Sequence, residues 1–258
     1  MKTLPTLFIG HGNPMNIVTR NRWSQGWAAL GAAIPRPKAI LAISAHWYLP
    51  GTRVTATSLP RTIHDFGGFP QELYEIVYPA PGDPALAMRV RDMLAPVHVE
   101  LDEQWGLDHG TWSVLHHMFP KSDVPVVQLS IDRRQPASFH YEVGRVLAPL
   151  RDEGILLMGS GNLVHNLQLY QWDRPDAPPF GWALSFEEKV RDLLKSGKDS
   201  SLVDYGAIGP DALLSVPTPD HYLPLLYVLG SRKNGEAVSF PVEGFDGGSM
   251  SMLAAELS

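Results

Sequence analysis

The chain has 258 residues, of which 44% are hydrophobic and 19% charged, and its formal net charge is −6. That balance excludes extensive disorder, and the scattered arginines and lysines give no basic track for nucleic acid. There is no cysteine, which excludes disulfides, thiolate metal sites and a cysteine nucleophile.

The opening stretch MKTLPTLFIGHG holds an apolar run too short for a signal segment or a membrane span, so a cytoplasmic location without membrane partners is expected. Within it, Thr6–Gly10 (TLFIG) reads as a buried strand ending in glycine. Asn21–Ala33 carries Trp23, Trp27 and Leu30 at helical spacing. Ala39–Ala45 (AILAISA) is a second buried strand, and Arg53–Thr57 alternates as an edge strand does. Pro84–Leu94 reads as a helix that Asp83 caps and Pro84 opens. Val124–Ile131 is a third buried strand, Ala137–Glu153 a helix with one apolar stripe, and Ile155–Gly159 a fourth buried strand. Gln171–Pro179 is a short proline-rich surface loop. Two more helices, Trp182–Leu194 and His221–Leu229, precede a last alternating strand, Ala237–Val242, where Pro241 fits only an edge.

Continuous apolar strands separated by helical patterns indicate an α/β fold. The expectation is a single domain over residues 1–258, with a mainly parallel or mixed central sheet and helices on both faces. No repeat, low-complexity tract or linker interrupts it.

The ten histidines are unevenly placed. His11 follows the first strand in GHGNP, His46 ends the second in SAHW, and His165 follows the fourth in GSGNLVHN. Ligands in open α/β sheets bind beyond the carboxyl ends of the strands, so three such histidines point to one crevice suited to a metal. Each alone also reads as a hydrogen-bonded turn residue. His221, in PTPDHYLP, falls in the first turn of an apolar helix behind two prolines, and a bland helix start accounts for it equally well. Asp108–His109 in GLDHGTW reads either as an orienting pair or as a capped helix start. His64 sits on the glycine-rich aromatic segment TIHDFGGFP, a lid or a structural turn. His98, His116, His117 and His140 are assigned no role. GxGxxG, GxxxxGK[ST], HExxH and GxSxG are all missing, which removes the main support for nucleotide, P-loop, zincin and serine-hydrolase readings.

The blocks HGNPMN, PRPKAILAISAHW, TIHDFGGFP, YPAPGDP, GLDHGTW, PVVQLSI, GSGNLVHN, TPDHYLPLLYVLG and GSMSMLAAEL resemble, in order and end to end, the 4,5-DOPA dioxygenase extradiol family, a branch of the class III (LigB-like) extradiol ring-cleavage dioxygenases. The resemblance implies a LigB-like fold and O2-dependent opening of a catechol beside its diol. For DOPA, 4,5-cleavage gives seco-DOPA, which cyclises to betalamic acid. It implies His11, His46 and His221 as metal ligands, and His165 as acid/base and also as a ligand while substrate is absent. His109 matches a catalytic position beside the substrate.

Fe(II) is the metal that the activity implies. An all-histidine set suits Zn²⁺ equally, unless Glu243 supplies the carboxylate of a two-histidine facial triad. The rival readings are a zinc hydrolase on the same histidines and a non-catalytic metal- or small-molecule-binding protein. A catechol and O2 are the implied partners, with the chain a monomer or a small homo-oligomer.

Overall fold

The computed structural model describes residues 3–258. Ten strands occur among them: β1 (Thr6–Gly10), β2 (Ala39–Leu49), β3 (Thr52–Thr55), β4 (Val99–Asp102), β5 (Val126–Asp132), β6 (Ile155–Gly161), β7 (Val238–Val242), β8 (Phe245–Asp246), β9 (Met250–Ser251) and β10 (Ala254–Leu257). Eight of them form one sheet in the order β4-β3-β5-β2-β6-β1-β10-β7, while β8 and β9 pair separately. The centre β5-β2-β6-β1 is parallel throughout; β10 and β7 join it antiparallel, and β3 crosses β5 antiparallel. The mixed α/β architecture expected from the sequence is what forms.

The central strands are apolar without alternation because both of their faces are covered. Leu7, Ile9, Ile40, Ala42, Leu156 and Met158 pack with Trp23, Trp27 and Trp112, from helices Arg22–Ala33 and His109–Met118. Phe8, Leu41, Ile43 and Leu157 pack on the other face with Val143, Phe186, Val190 and Leu226. Those residues come from helices Ala137–Leu147, Gly181–Ser196 and Leu223–Gly230. Among the described residues no helix is long and apolar enough to cross a membrane.

Several elements depart from the sequence expectation. The segment Arg53–Thr57 forms the strand Thr52–Thr55, but that strand lies inside the sheet; the edge is β4, whose four residues carry little periodicity. The long helix expected over Ala137–Glu153 breaks into Ala137–Leu147 and Leu150–Glu153. Pro149, at the junction, has no N–H to continue the ladder. The last helix starts at Leu223, so His221 sits in the turn before it and not in its first turn.

Strand β2 continues past Ala45 to Leu49, which puts His46 inside the strand. Its register against β5 shifts between Ile43 and Tyr48. Such an irregularity turns a side chain out of the ordinary alternation, and here the turned residues include His46.

Behind the sheet, Arg151 has no exposed surface. Its guanidinium donates to Leu4 O (2.9 Å), Ser231 O (2.6 Å) and Leu257 O (3.4 Å), and forks onto both oxygens of Glu236. It thereby ties the lead-in to β1, the end of helix Leu223–Gly230 and the end of β10 together. Arg151→Met leaves a carboxylate and three carbonyls without their donor. It is expected to cost about 3–5 kcal/mol of unfolding free energy, read from the denaturation midpoint in urea.

Candidate active site

Strands β2, β6 and β1 are neighbours and run parallel, so their carboxyl ends open on one side. His11 follows β1, and its N–H donates to Gly161 O at the end of β6 (3.1 Å). His46 projects from the irregular stretch of β2. Asn162 N, just past β6, donates to His221 O (2.9 Å), which brings the His221 turn against the same strand ends. A Cβ on Gly161 would lie 2.1 Å from His221 O, so only glycine allows this approach. His165 pairs with Met250 in an isolated bridge. His109 starts helix His109–Met118, capped by Asp108, whose Oδ1 accepts from Thr111 N (3.1 Å). Asp108 is thus a helix cap, while the His109 ring finds its partner elsewhere.

These five histidines line one cavity of about 190 Å³. The nitrogens of His11, His46 and His109 all lie within 4.8 Å of one another. His221 is not in that group by its nitrogens, although its ring centre lies 5.3 Å from that of His11, nearer than the 5.6 Å of His109, and 5.1 Å from that of His46. His165 stacks on His221 at 3.5 Å, with the rings nearly parallel at 5°. His64 turns away and bonds Ile76 O (2.9 Å), a structural contact. From its loop, Phe66 and Phe69 complete the cavity wall. Glu243 pairs with Arg191 (2.5 Å) and does not line the cavity.

The outward nitrogens fix the tautomers. Ser160 Oγ donates to Gly110 O (2.5 Å), so toward His11 Nδ1 (2.9 Å) it accepts. The His11 proton therefore sits on Nδ1, and Nε2 presents a lone pair. Asp65 bonds His109 Nδ1 through Oδ1 (3.0 Å) and faces His46 Nδ1 through Oδ2 (3.3 Å); Asp220 bonds His221 Nδ1. Burial acts to raise both of these carboxyls, but their histidine partners outweigh it and each lies below its ordinary value. As carboxylates they can only accept, so His109 and His221 also carry a proton on Nδ1, and the Asp65 oxygen facing His46 Nδ1 favours the same tautomer there. Burial, followed by the other histidines, pushes His11 and His46 well below the usual imidazole range, which keeps them neutral.

The consequence is electrostatic. His11 Nε2 and His46 Nε2 lie 3.0 Å apart, both with lone pairs and no proton between them. That arrangement is repulsive unless a cation lies between. Two nitrogens, each ~2.0–2.2 Å from one ion, are separated by about this distance. Neutral imidazoles with the second nitrogen anchored are the usual form of metal-ligating histidine. The residues present therefore fit a metal. His165 is different: among the described residues its ring takes no side-chain hydrogen bond, and burial, then His221, lowers its pKa.

Residues 14–244 match the family model described as the catalytic LigB subunit of aromatic ring-opening dioxygenase. The chain belongs to the LigB family. It is an extradiol ring-opening dioxygenase by its relatives as well. The 4,5-DOPA dioxygenase extradiol of Escherichia coli K12 is 53% identical, covering 98% of this chain and 94% of that one. The enzyme of the same name from Beta vulgaris is 36% identical, covering 95% and 93%. A crystal structure of an uncharacterized Escherichia coli K12 protein superposes with a TM-score of 0.87 at 48% identity, covering 99% of this chain and all of that one. Placing the LigB histidines together required Asp65, Asp220 and Ser160, which the sequence reading did not single out. Asp65 and Asp220 each stand directly beside a histidine, in TIHDF and TPDHY, and that adjacency was the available signal.

Gly110 lies beneath the cluster. A Cβ there would meet Ser44 Oγ at 2.6 Å, His46 Cδ2 at 2.9 Å and His11 Cε1 at 3.3 Å. An exposed helical Gly→Ala change gains about 1 kcal/mol. Gly110→Ala is expected instead to spread the His11 and His46 rings and lose most metal uptake while the fold persists. Elemental analysis beside a circular dichroism melt checks both halves.

Proposed function

We propose that this LigB enzyme opens a catechol such as DOPA with O2, the DOPA product being seco-DOPA, which cyclises to betalamic acid. The reading rests on the two facing Nε2 lone pairs of His11 and His46, inside a cavity of ring-sized walls. His11, His46 and His221 hold the metal, with His165 a further donor before substrate enters. Bound there, Fe(II) supplies the redox path between catecholate and O2 that a closed-shell ion lacks.

The chain's own groups position and move protons. Phe66 and Phe69 flank the aromatic ring and keep water from the diol. His109 is anchored at Nδ1 by Asp65, so its Nε2 accepts the hydrogen bond of a catechol hydroxyl. His165 carries no such anchor and is free to take that proton and return it to the opened product. An imidazole suits this at neutral pH.

The test is aerobic turnover of catechols by protein reconstituted with Fe(II), followed by oxygen uptake and yellow product. The Zn²⁺ form is expected to open no ring, because Zn²⁺ has no redox chemistry. Equal turnover with either metal overturns the oxygenase reading, and hydrolysis of amides or esters by the Zn²⁺ form promotes a zinc hydrolase in its place.

For His165→Ala the expected result is retained metal with turnover lowered by about 10²–10⁴. A glutamine at the same place does not restore it, since an amide cannot titrate. Loss of metal by His165→Ala makes the residue a ligand first. Metal content and single-turnover ring opening, measured on one preparation, separate the two.

A further inference from the structure

Glu187, in helix Gly181–Ser196, is only 3% exposed, an uncommon degree of burial for a carboxyl. It accepts a hydrogen bond from Ser251 Oγ, and Ser251 Oγ in turn accepts the N–H of Leu253 (3.3 Å). One turn further along the helix, Arg191 lies 3.9 Å from Glu187 but pairs more closely with Glu243, at 2.5 Å. Residues 187 and 191 share one helix face. From it they grip the β8–β9 hairpin at two points, Arg191 just before β8 and Glu187 on β9.

That hairpin lies against the backbone that carries His165. Ser251 N donates to Val164 O (2.9 Å), Asn162 Nδ2 donates to Ser251 O (2.7 Å), and Met250 bridges His165. Met250 also lines the histidine cavity. The His165 ring is held by no side-chain acceptor, so its place follows from its stacking on His221 and from the backbone on either side. One of those backbone supports is Ser215 O, which accepts from His165 N (2.9 Å); the other is the hairpin.

We infer that Glu187 is a positioning residue for proton transfer by His165: through Ser251 it sets the strand against which the His165 backbone is held, and it holds that strand more firmly as a carboxylate than as an acid. The inference rests on the proposed acid/base role of His165 and adds a residue and a pH dependence to it. The hydrogen bonds run in one direction, from Leu253 N–H to the Ser251 hydroxyl and on to Glu187. A carboxylate ends such a chain with a charge-assisted bond. A protonated Glu187 either donates into Ser251 Oγ, which takes this acceptor away from the serine hydrogen, or accepts through a neutral carbonyl, which is the weaker bond. Burial pushes the Glu187 carboxyl from its ordinary 4.5 up to about 7; Ser251 and Arg191 oppose it, and Glu243 and Glu188 act with it. The two states therefore exchange near neutrality.

The experiment uses the wild type, Glu187→Gln and Ser251→Ala. The folded chain holds the Glu187 proton up to about 7 and the unfolded chain only to 4.5, so the wild type loses stability as pH rises through that window. In metal-free protein its urea midpoint, relative to that of Glu187→Gln, is expected to fall between those values; a constant difference overturns the titration. In the Fe(II) form with a saturating catechol, the ratio of wild-type to Glu187→Gln kcat is expected to rise by about 3- to 10-fold from about pH 5.5 to about pH 8.5, the difference between a charge-assisted and a neutral hydrogen bond. KM and metal content stay alike in the two proteins. Ser251→Ala lowers kcat as Glu187→Gln does, and the double variant lowers it no further. A kcat ratio that does not move with pH, loss of metal by Glu187→Gln, or effects of the two substitutions that multiply overturns the positioning role and leaves ring opening standing. A wild type that opens no catechol overturns the ring-opening reading and this role with it.

Discussion

The site depends on where four protons are held. Ser160, Asp65 and Asp220 hold the Nδ1 atoms of His11, His109 and His221, and Asp65 also faces His46 Nδ1 at 3.3 Å, which leaves the Nε2 atoms of these rings to the cavity. Without the outward acceptors the rings could exchange tautomers, and the 3.0 Å approach of His11 Nε2 to His46 Nε2 would become an ordinary hydrogen bond. With them the cluster is a concentration of negative potential in a buried place, which a cation resolves. Burial lowers His11 and His46 well below the usual imidazole range, and their neutrality lets these two rings pack so closely.

The acceptors are themselves placed by the fold. Asp65 reaches His46 and His109 because its loop is pinned just before it, at Ile63. Ile63 N donates to Leu107 O (2.8 Å), and Trp112 Nε1 donates to Ile63 O (2.8 Å). The loop therefore belongs to the site without being a ligand element. One carboxylate then holds a ring from a strand and a ring from a helix, coupling β2 to helix His109–Met118. Ser160 does the same between β6 and β1, with Gly110 O as its own acceptor. The glycines at 110 and 161 mark where these elements come too close for a side chain.

Around this fixed centre the walls differ in character. The histidine face is polar and bonded from behind, aromatic side chains complete the wall, and charged groups line the neighbouring cavity that shares Trp172. His165 alone among the five lacks an outward anchor, and it stacks on a ring that has one. A group that must gain and lose a proton benefits from that freedom, whereas a ligand benefits from losing it. The cluster therefore combines imidazoles held by outward acceptors with one, His165, that has none.

Much of this was legible in the chain. Uninterrupted apolar runs named β1, β2, β5 and β6 because a strand covered on both faces needs no polar alternation. Histidines beside glycines at the ends of such runs marked the crevice, and the ordered motif blocks marked the family. Short or locally perturbed elements were not legible. Strand β4 has too few residues for a period, β3 lies inside the sheet only because β4 covers it, and the shift in β2 that turns out His46 depends on its pairing with β5. The sequence by itself determined the fold class, the LigB family and the histidines that gather in one cavity, since these follow from side-chain type and local pattern. Only the tertiary structure decided which acceptor holds each ring, that Asp65 serves two of them, and that an arginine from the start of the first long helix lines a chamber next to the active site. Those relations join residues far apart in the chain, and hydrogen-bond geometry exists only once the sheet has brought them together.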